Sequence, residues 1–207
     1  MYMVTDKEQQ PQPANLVGSP LKGELEGVAC SPLKGEPEGA VHSLPSSSGE
    51  GLGEGALSLF MQGYGCCQSV VAAFADRYGL DRDMALRVAA GFGGGVGRMR
   101  MMCGACSALT ILAGLEKGQT RGDDREGKAA CYQLTRDLLE AFRQENGSII
   151  CAELLQMAGC QAVTDTNQPD DRNAEYYKRR PCARKVVSAA RIFEQYLAQE
   201  TAVQEAK

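Results

Sequence analysis

Cys103 and Cys106 stand three residues apart, directly behind the run Gly91-Phe92-Gly93-Gly94-Gly95-Val96-Gly97-Arg98. A thiolate is both a nucleophile and a soft-metal ligand, so this spacing suits dithiol chemistry or metal binding. If a helix begins at Cys103, the two cysteines share a face, and the unpaired N–H groups of the first turn favour a thiolate. The only histidine, His42, lies in a low-complexity segment. Sulfur is therefore the centre of any chemistry the rest of the chain performs.

Other cysteines compete for that role. Cys182 follows Pro181 at an expected helix start, behind Lys178, Arg179 and Arg180. Helix dipole and cations both lower a thiol's pKa. The same residue also falls on the apolar stripe of Val186, four positions on, and so reads equally as a core cysteine. Cys66 and Cys67 are adjacent, so on a helix they point about 100° apart and one of them belongs to the core. Cys151 lies between Ile150 and Leu154 and reads as core, while Cys131 and Cys160 read as packing residues. Free cysteine packs like a small hydrophobe. The thioredoxin pattern is absent, since no strand, preceding Trp or enclosed Pro frames Cys103-Gly104-Ala105-Cys106. Ser107 rather than His follows, which excludes covalent haem attachment, and the lack of a second Cys-x-x-Cys argues against a zinc ribbon.

The glycine run follows a helical segment rather than a strand, and it lacks both dinucleotide-binding spacing and the Lys-Ser/Thr of a P-loop. Two readings stand. The run is a sharp turn needing positive φ. Alternatively, Gly93, Gly94, Gly95 and Arg98 form an anion-binding nest beside Cys103, with Arg100 adding charge.

The elements that must hold these residues are helical. Leu57, Phe60, Met61 and Tyr64 recur at helical spacing, and Gly63 and Gly65 predict a break just before Cys66. Val70, Val71, Phe74 and Tyr78 continue on one face up to Gly79. Asp81 caps a short helix through Ala89. Cys103 to Leu115 reads as a helix buried on nearly all sides. Asp123 or Asp124 opens a long helix with Ala130, Leu134, Leu138 and Phe142 on one stripe, closed by Asn146-Gly147. Ser148 is expected to cap a short helix through Leu155, residues 161–172 form a loop, and a last helix starts near Pro181. No segment alternates with period two. The expected fold is all-α: one bundle of about five to six helices over residues 53–205.

Residues 1–52 read as a disordered tail. They are rich in Pro, Gly, Ser and Glu and repeat Ser-Pro-Leu-Lys-Gly-Glu at 19–24 and 31–36. The first fifty hold three Lys and seven acidic residues, leaving 19 charges of each sign for the remainder. A neutral domain without aromatic–basic interleaving is a poor nucleic-acid binder. The most apolar stretch, Ala105 to Leu115, is too short for a membrane span, and no secretory signal is evident. These features predict a cytoplasmic protein, where a structural disulfide framework is not expected.

Gly63-Tyr64-Gly65-Cys66-Cys67-Gln68-Ser69-Val70, the glycine run with Arg98, Cys103-Gly104-Ala105, Ser148-Ile149-Ile150-Cys151 and finally Cys182 occur in an order that resembles the C_GCAxxG_C_C family. These are small bacterial and archaeal proteins whose redox activity is inferred from their cysteines, and whose genes often lie near those of transporters. The resemblance covers roughly residues 55–200. It implies four family cysteines: Cys66, Cys103, Cys151 and Cys182. Cys67 stands where the family usually has Ala, Ala108 replaces the motif's last Gly, and Cys106 occupies a variable position. Four such thiols offer two dithiol pairs or a Cys-only iron–sulfur or other soft-metal site. The expected activity is like that of a thiol–disulfide oxidoreductase. Cys103 attacks, one of Cys66, Cys151 and Cys182 resolves, and a separate redox partner supplies electrons.

Overall fold

The computed structural model describes residues 51–205; the repeat segment and His42 lie outside them. The described chain has eight α-helices and a 3-10 turn, and no strand. The helices are α1 (Leu52–Met61), α2 (Cys66–Ala73), α3 (Arg82–Ala90), α4 (Gly104–Lys117), α5 (Arg125–Asn146), α6 (Cys151–Met157), α7 (Ala174–Arg179) and α8 (Cys182–Glu205). The 3-10 turn spans Asp76–Tyr78. The helical class agrees with the sequence reading, but there are more helices than the five to six expected. Part of the excess is α7, in which the Asn173 side chain accepts from the Tyr176 N–H. Its six residues carry no apolar stripe long enough to register as a period.

α4 is the central helix. Gly104 through Leu109, together with Leu112 and Ala113, are buried, and α2, α5 and α8 pack around it. Small residues make this close approach available. Gly114 and Leu115 emerge into solvent, so the last turn is not enclosed as the sequence suggested. Phe60, Phe74, Phe142 and Phe193 are fully buried. Phe74 meets Phe193 edge-on at 5.0 Å, joining the end of α2 to α8. α5 is amphipathic as expected: Leu134, Leu138 and Phe142 face inward. Ala130 is exposed, and Cys131 beside it turns its sulfur toward the Ala113 carbonyl.

The caps follow their chemistry. Asp81 accepts from Met84, and Asp124 from Gly127. Gly79 and Gly147 close their elements with φ of 58° and 88°. Ser148 departs from expectation. Ile150 is the N-cap of α6, and the Ser148 hydroxyl instead accepts from the Ile150 N–H and pairs with Glu153. This turn presents Ile150 to Met102 in an isolated antiparallel bridge. Cys103 N–H donates to the Ile149 carbonyl at 2.8 Å, and Cys151 N–H to that of Met101 at 2.7 Å. Two cysteines 48 positions apart thus arrive side by side.

Candidate functional site

A cavity of about 610 Å³ opens where four helices begin, and Cys66, Cys103, Cys151 and Cys182 all line it. Cys66, Cys151 and Cys182 are the first residues of α2, α6 and α8, and Cys103 is the N-cap of α4. Local chemistry sets each start. The Gly65 N–H donates to the Gln68 side chain, which also reaches the Leu86 carbonyl of α3. Pro181 precedes Cys182 and lacks the N–H that a first helical turn leaves unpaired. α2, α4 and α8 are long enough for their amide dipoles to favour negative charge on these sulfurs; α6, at seven residues, is not.

All eight described cysteines carry their sulfur outside any disulfide. The thiols are unequal. A hydrogen bond with Cys66 brings the Cys182 thiol down to about 7, with Arg180, Arg172 and Arg100 acting in the same direction against burial. The same contact raises Cys66 well above the ordinary range, and burial adds to the effect. The Cys103 thiol is likewise lowered, first by Cys106 and then, against burial, by the nearby amides of Ala105 and Cys106. Those amides influence the sulfur without forming a cap hydrogen bond. Cys106 is raised in turn. Burial pushes Cys151 up to about 11, with the Cys103 charge adding to it. The site therefore holds two sulfurs whose thiols are lowered, Cys103 and Cys182, each coupled to a thiol that is raised, Cys106 and Cys66. The Cys103 and Cys182 charges both reach Cys66 and Cys151, and that of Cys103 also reaches Cys67 and Cys106.

Two glycines let these groups meet. A Cβ on Gly104 would lie 3.0 Å from the Phe92 carbonyl oxygen and 3.1 Å from the Cys66 Cβ. On Gly95 it would lie 2.6 Å from the Cys151 Cβ, and φ there is +74°. The glycine run is a left-handed turn: Gly94, Gly95, Val96, Gly97 and Arg98 all have φ between 56° and 74°. Some of its amides are used internally: Gly93 donates to Ala90, Val96 to Phe92, Gly97 to Gly91 and Arg98 to Gly93, whereas Gly94 and Gly95 donate to no backbone carbonyl there. Arg98 bonds the Thr166 carbonyl and the Asp170 carboxylate. Gly93, Gly94, Gly95 and Arg98 line the cavity, but Arg98 serves to pin the 161–172 loop across it.

The 64–196 segment matches the family model described as "Putative redox-active protein (C_GCAxxG_C_C)". The chain belongs to the C_GCAxxG_C_C family. No curated protein and no solved structure matches it. Within this member of the C_GCAxxG_C_C family, the four cysteines that the resemblance singled out share one cavity, although Cys66 and Cys182 lie 116 positions apart. Cys67 is fully buried and faces the core, as its adjacency to Cys66 requires. Cys106 is also fully buried; its strongest partner is Cys103, and it also feels Cys151 and Lys185 of the cavity lining. Cys160 is buried near the Ala158 and Arg179 carbonyls, in one apolar cluster with Cys151 and Leu155.

Sequence reasoning missed Arg172 and Lys185, both of which line the cavity. Lys185 had a signal: it follows Cys182 by three, on the same face of α8. Arg172 had none. It is brought in by a loop and stacks on Phe60 and Tyr176 at 4.5 and 4.6 Å. The iron–sulfur or soft-metal expectation meets a poor fit. Among the described residues no group of three or more His, Cys, Asp or Glu is arranged to hold a metal ion. The strongest coupling runs within two pairs, Cys66 with Cys182 and Cys103 with Cys106.

Proposed function

We propose that this protein carries out thiol–disulfide exchange over two neighbouring dithiols, an outer Cys66/Cys182 and an inner Cys103/Cys106. The observation that supports it is the pairing itself: each thiolate-forming sulfur sits at a helix start against a thiol. Cys66 and Cys182 are partly exposed, whereas Cys103 and Cys106 are buried, so the outer pair meets the external reactant. The Cys182 thiolate attacks one sulfur of a disulfide, forms a mixed disulfide and expels one thiolate. Cys66 then gives up its proton to that departing thiolate and attacks the Cys182 sulfur. The second half leaves as a thiolate and takes a proton from solvent. One external disulfide is reduced to two thiols, and the Cys66–Cys182 dithiol is oxidised by two electrons. The Cys103 thiolate can then attack the Cys66–Cys182 disulfide and release one of its sulfurs as a thiolate. Cys106 attacks the Cys103 sulfur of the mixed disulfide, its proton passing to the outer sulfur that leaves. The outer dithiol is restored and the inner pair is oxidised by two electrons. The sequence-based expectation put the first attack on Cys103; the difference in exposure moves it to Cys182. No helix among the described residues is long and apolar enough to cross a membrane, and we take the reaction to run in the cytoplasm.

One equivalent of 2-hydroxyethyl disulfide, followed by acid quench, alkylation and peptide mass mapping, tests the reading. The expected early product is a Cys66–Cys182 disulfide that precedes any bond to Cys103. Unmodified thiols throughout, or a first disulfide lacking Cys182, would overturn it.

A further inference from the structure

The cavity is more cationic than its thiolates require. Arg98, Arg100, Arg172, Arg180 and Lys185 line it, against Asp170 and Asp171. Burial would raise the Asp170 carboxyl, but the Arg98 hydrogen bond and the Arg180 and Arg98 charges hold it below its ordinary value. Asp170 accepts from Arg98 at 3.1 Å and from Arg180 at 3.0 Å, so those two cations are already paired. The other guanidiniums are not fully used. Arg100 is only 5% exposed, and its Nε donates to the Val163 carbonyl. It also acts on the Cys151 thiol, yet its Nη2 has no hydrogen-bond partner. Arg172 reaches the Tyr64 carbonyl through Nη2, at a long 3.5 Å, and its buried Nη1 has no partner. An unpaired buried donor of a charged group is costly, and a fixed guanidinium is a ready receptor for a carboxylate. Arg172 is fixed: the rings of Phe60 and Tyr176 hold its plane.

We propose that the cavity is a receptor for a small carboxylate-bearing disulfide, whose anionic groups engage the guanidiniums of Arg100 and Arg172 in the cavity wall and whose sulfur meets Cys182. The cavity volume falls within the range that small-molecule sites occupy. Even with both thiolates counted, cations outnumber anions in the lining. The proposed recognition element is two arginine side chains, beside the glycine-run amides expected from the sequence. The proposal rests on the thiol-exchange reading for its chemistry, and its anion recognition can be tested separately.

The test compares exchange rates at low salt for three reagents: 3,3′-dithiodipropionate (anionic), 2-hydroxyethyl disulfide (neutral) and cystamine (cationic). The wild-type chain should favour the anionic reagent over the cationic one by about tenfold or more, with saturation. Arg172→Gln should bring the anionic rate to within about twofold of the neutral one. Loss of thiolate stabilisation alone slows all three reagents equally and leaves their ratio unchanged, a result that overturns the proposal. Suberate, which matches dithiodipropionate in length but has no sulfur, supplies the second readout by calorimetry. Binding to wild type and its loss in Arg172→Gln supports anion recognition whether or not exchange occurs. Absence of suberate binding to wild type together with equal rates for the three reagents sinks anion recognition while leaving the exchange reading standing. Suberate binding without any exchange sinks the exchange reading and the disulfide assignment with it. Arg172→Lys, which keeps the charge but not the planar fork, should restore less than half of the preference.

Discussion

The inner and outer cysteine pairs use one device built in two ways. In the inner pair Cys103 is an N-cap and Cys106 follows three residues later, so one turn of α4 brings both sulfurs together. In the outer pair Cys182 opens α8 and Cys66 opens α2, and only tertiary packing makes them neighbours. Both give one lowered and one raised thiol. They differ in access and charge. Cys103 is 6% exposed and Cys106 fully buried, while the outer pair is partly open and faces Arg172 and Arg180. A locally built pair can sit inside a helix bundle and survive small shifts between helices. A pair assembled across the fold can face a reactant, but its geometry depends on everything that holds α2 against α8.

The sharpest way to break this comparison is to remove one thiolate from each pair. Cys182→Ser should slow reduction of 2-hydroxyethyl disulfide at pH 7 by about 100-fold, because no other partly exposed sulfur in the site is ionised. Cys103→Ser should leave the first exchange within about threefold of wild type and abolish only disulfides that include Cys103. Stopped-flow rates and mass mapping read both effects. If Cys103→Ser is the more damaging change, the inner pair is the site of first attack and the assigned order is reversed.

Gly104 stands between the pairs and sets their separation. An alanine there gains helix propensity but drives its Cβ against the Phe92 carbonyl oxygen and the Cys66 Cβ. Gly104→Ala should therefore slow transfer from the outer disulfide to Cys103 by about tenfold while first exchange changes by less than about twofold. Equal rates for transfer in the two proteins would show that the α2–α4 approach does not govern communication between the pairs.

The two pairs also differ in how much of them the sequence revealed. The helical class, the break before Cys66, the Asp81 cap and the stripe of α5 follow from periodicity and turn chemistry, which act over a few residues. Cys103 and Cys106 on one face of α4 follow from the same local rule. The convergence of Cys66 with Cys182 is long-range, and residue spacing carries no information about it; only the family resemblance set these residues alongside Cys103. Arg172 was hidden for the same reason, since it stacks on Phe60 from a loop more than a hundred positions away. α7 was hidden because six residues, with only the adjacent Tyr176 and Tyr177 packing inward, leave no stripe. Ser148 misled for a different reason: its hydroxyl bonds the backbone two residues on, a turn that competes with capping.

Titration separates the pairs next. The Cys182 thiol at about 7 lies below the ordinary value of 9.0. A lowered pKa means more thiolate at a given pH, so Cys182 should be about half reactive at pH 7 and lose about tenfold per unit below it. Iodoacetamide rates at Cys182, followed by mass spectrometry from pH 5 to 10, should bend near 7. In Arg172→Gln the bend should move upward, because Arg172 is one of the charges that lower it. Cys66, which is raised, should show no bend in the same window. A bend at Cys182 near 9 would remove the asymmetry on which the outer pair depends.

The smallest effect expected is in the inner pair. The Cys106 thiol is the main cause of the lowered Cys103 pKa, with the start of α4 second. Cys106→Ala removes the donor but leaves the helix start, so Cys103 should become a weaker acid without returning to ordinary behaviour. Alkylation of Cys103 at pH 7 should slow by about threefold to fivefold, and the outer pair should be unaffected. The alanine leaves a small void in a fully buried position, at a stability cost of about 1 kcal/mol, which denaturant melts measure independently. Unchanged Cys103 reactivity would mean that the helix start alone holds the thiolate. Cys106 would then be a core residue placed one turn beyond Cys103, and the inner pair would be a single thiolate rather than a dithiol.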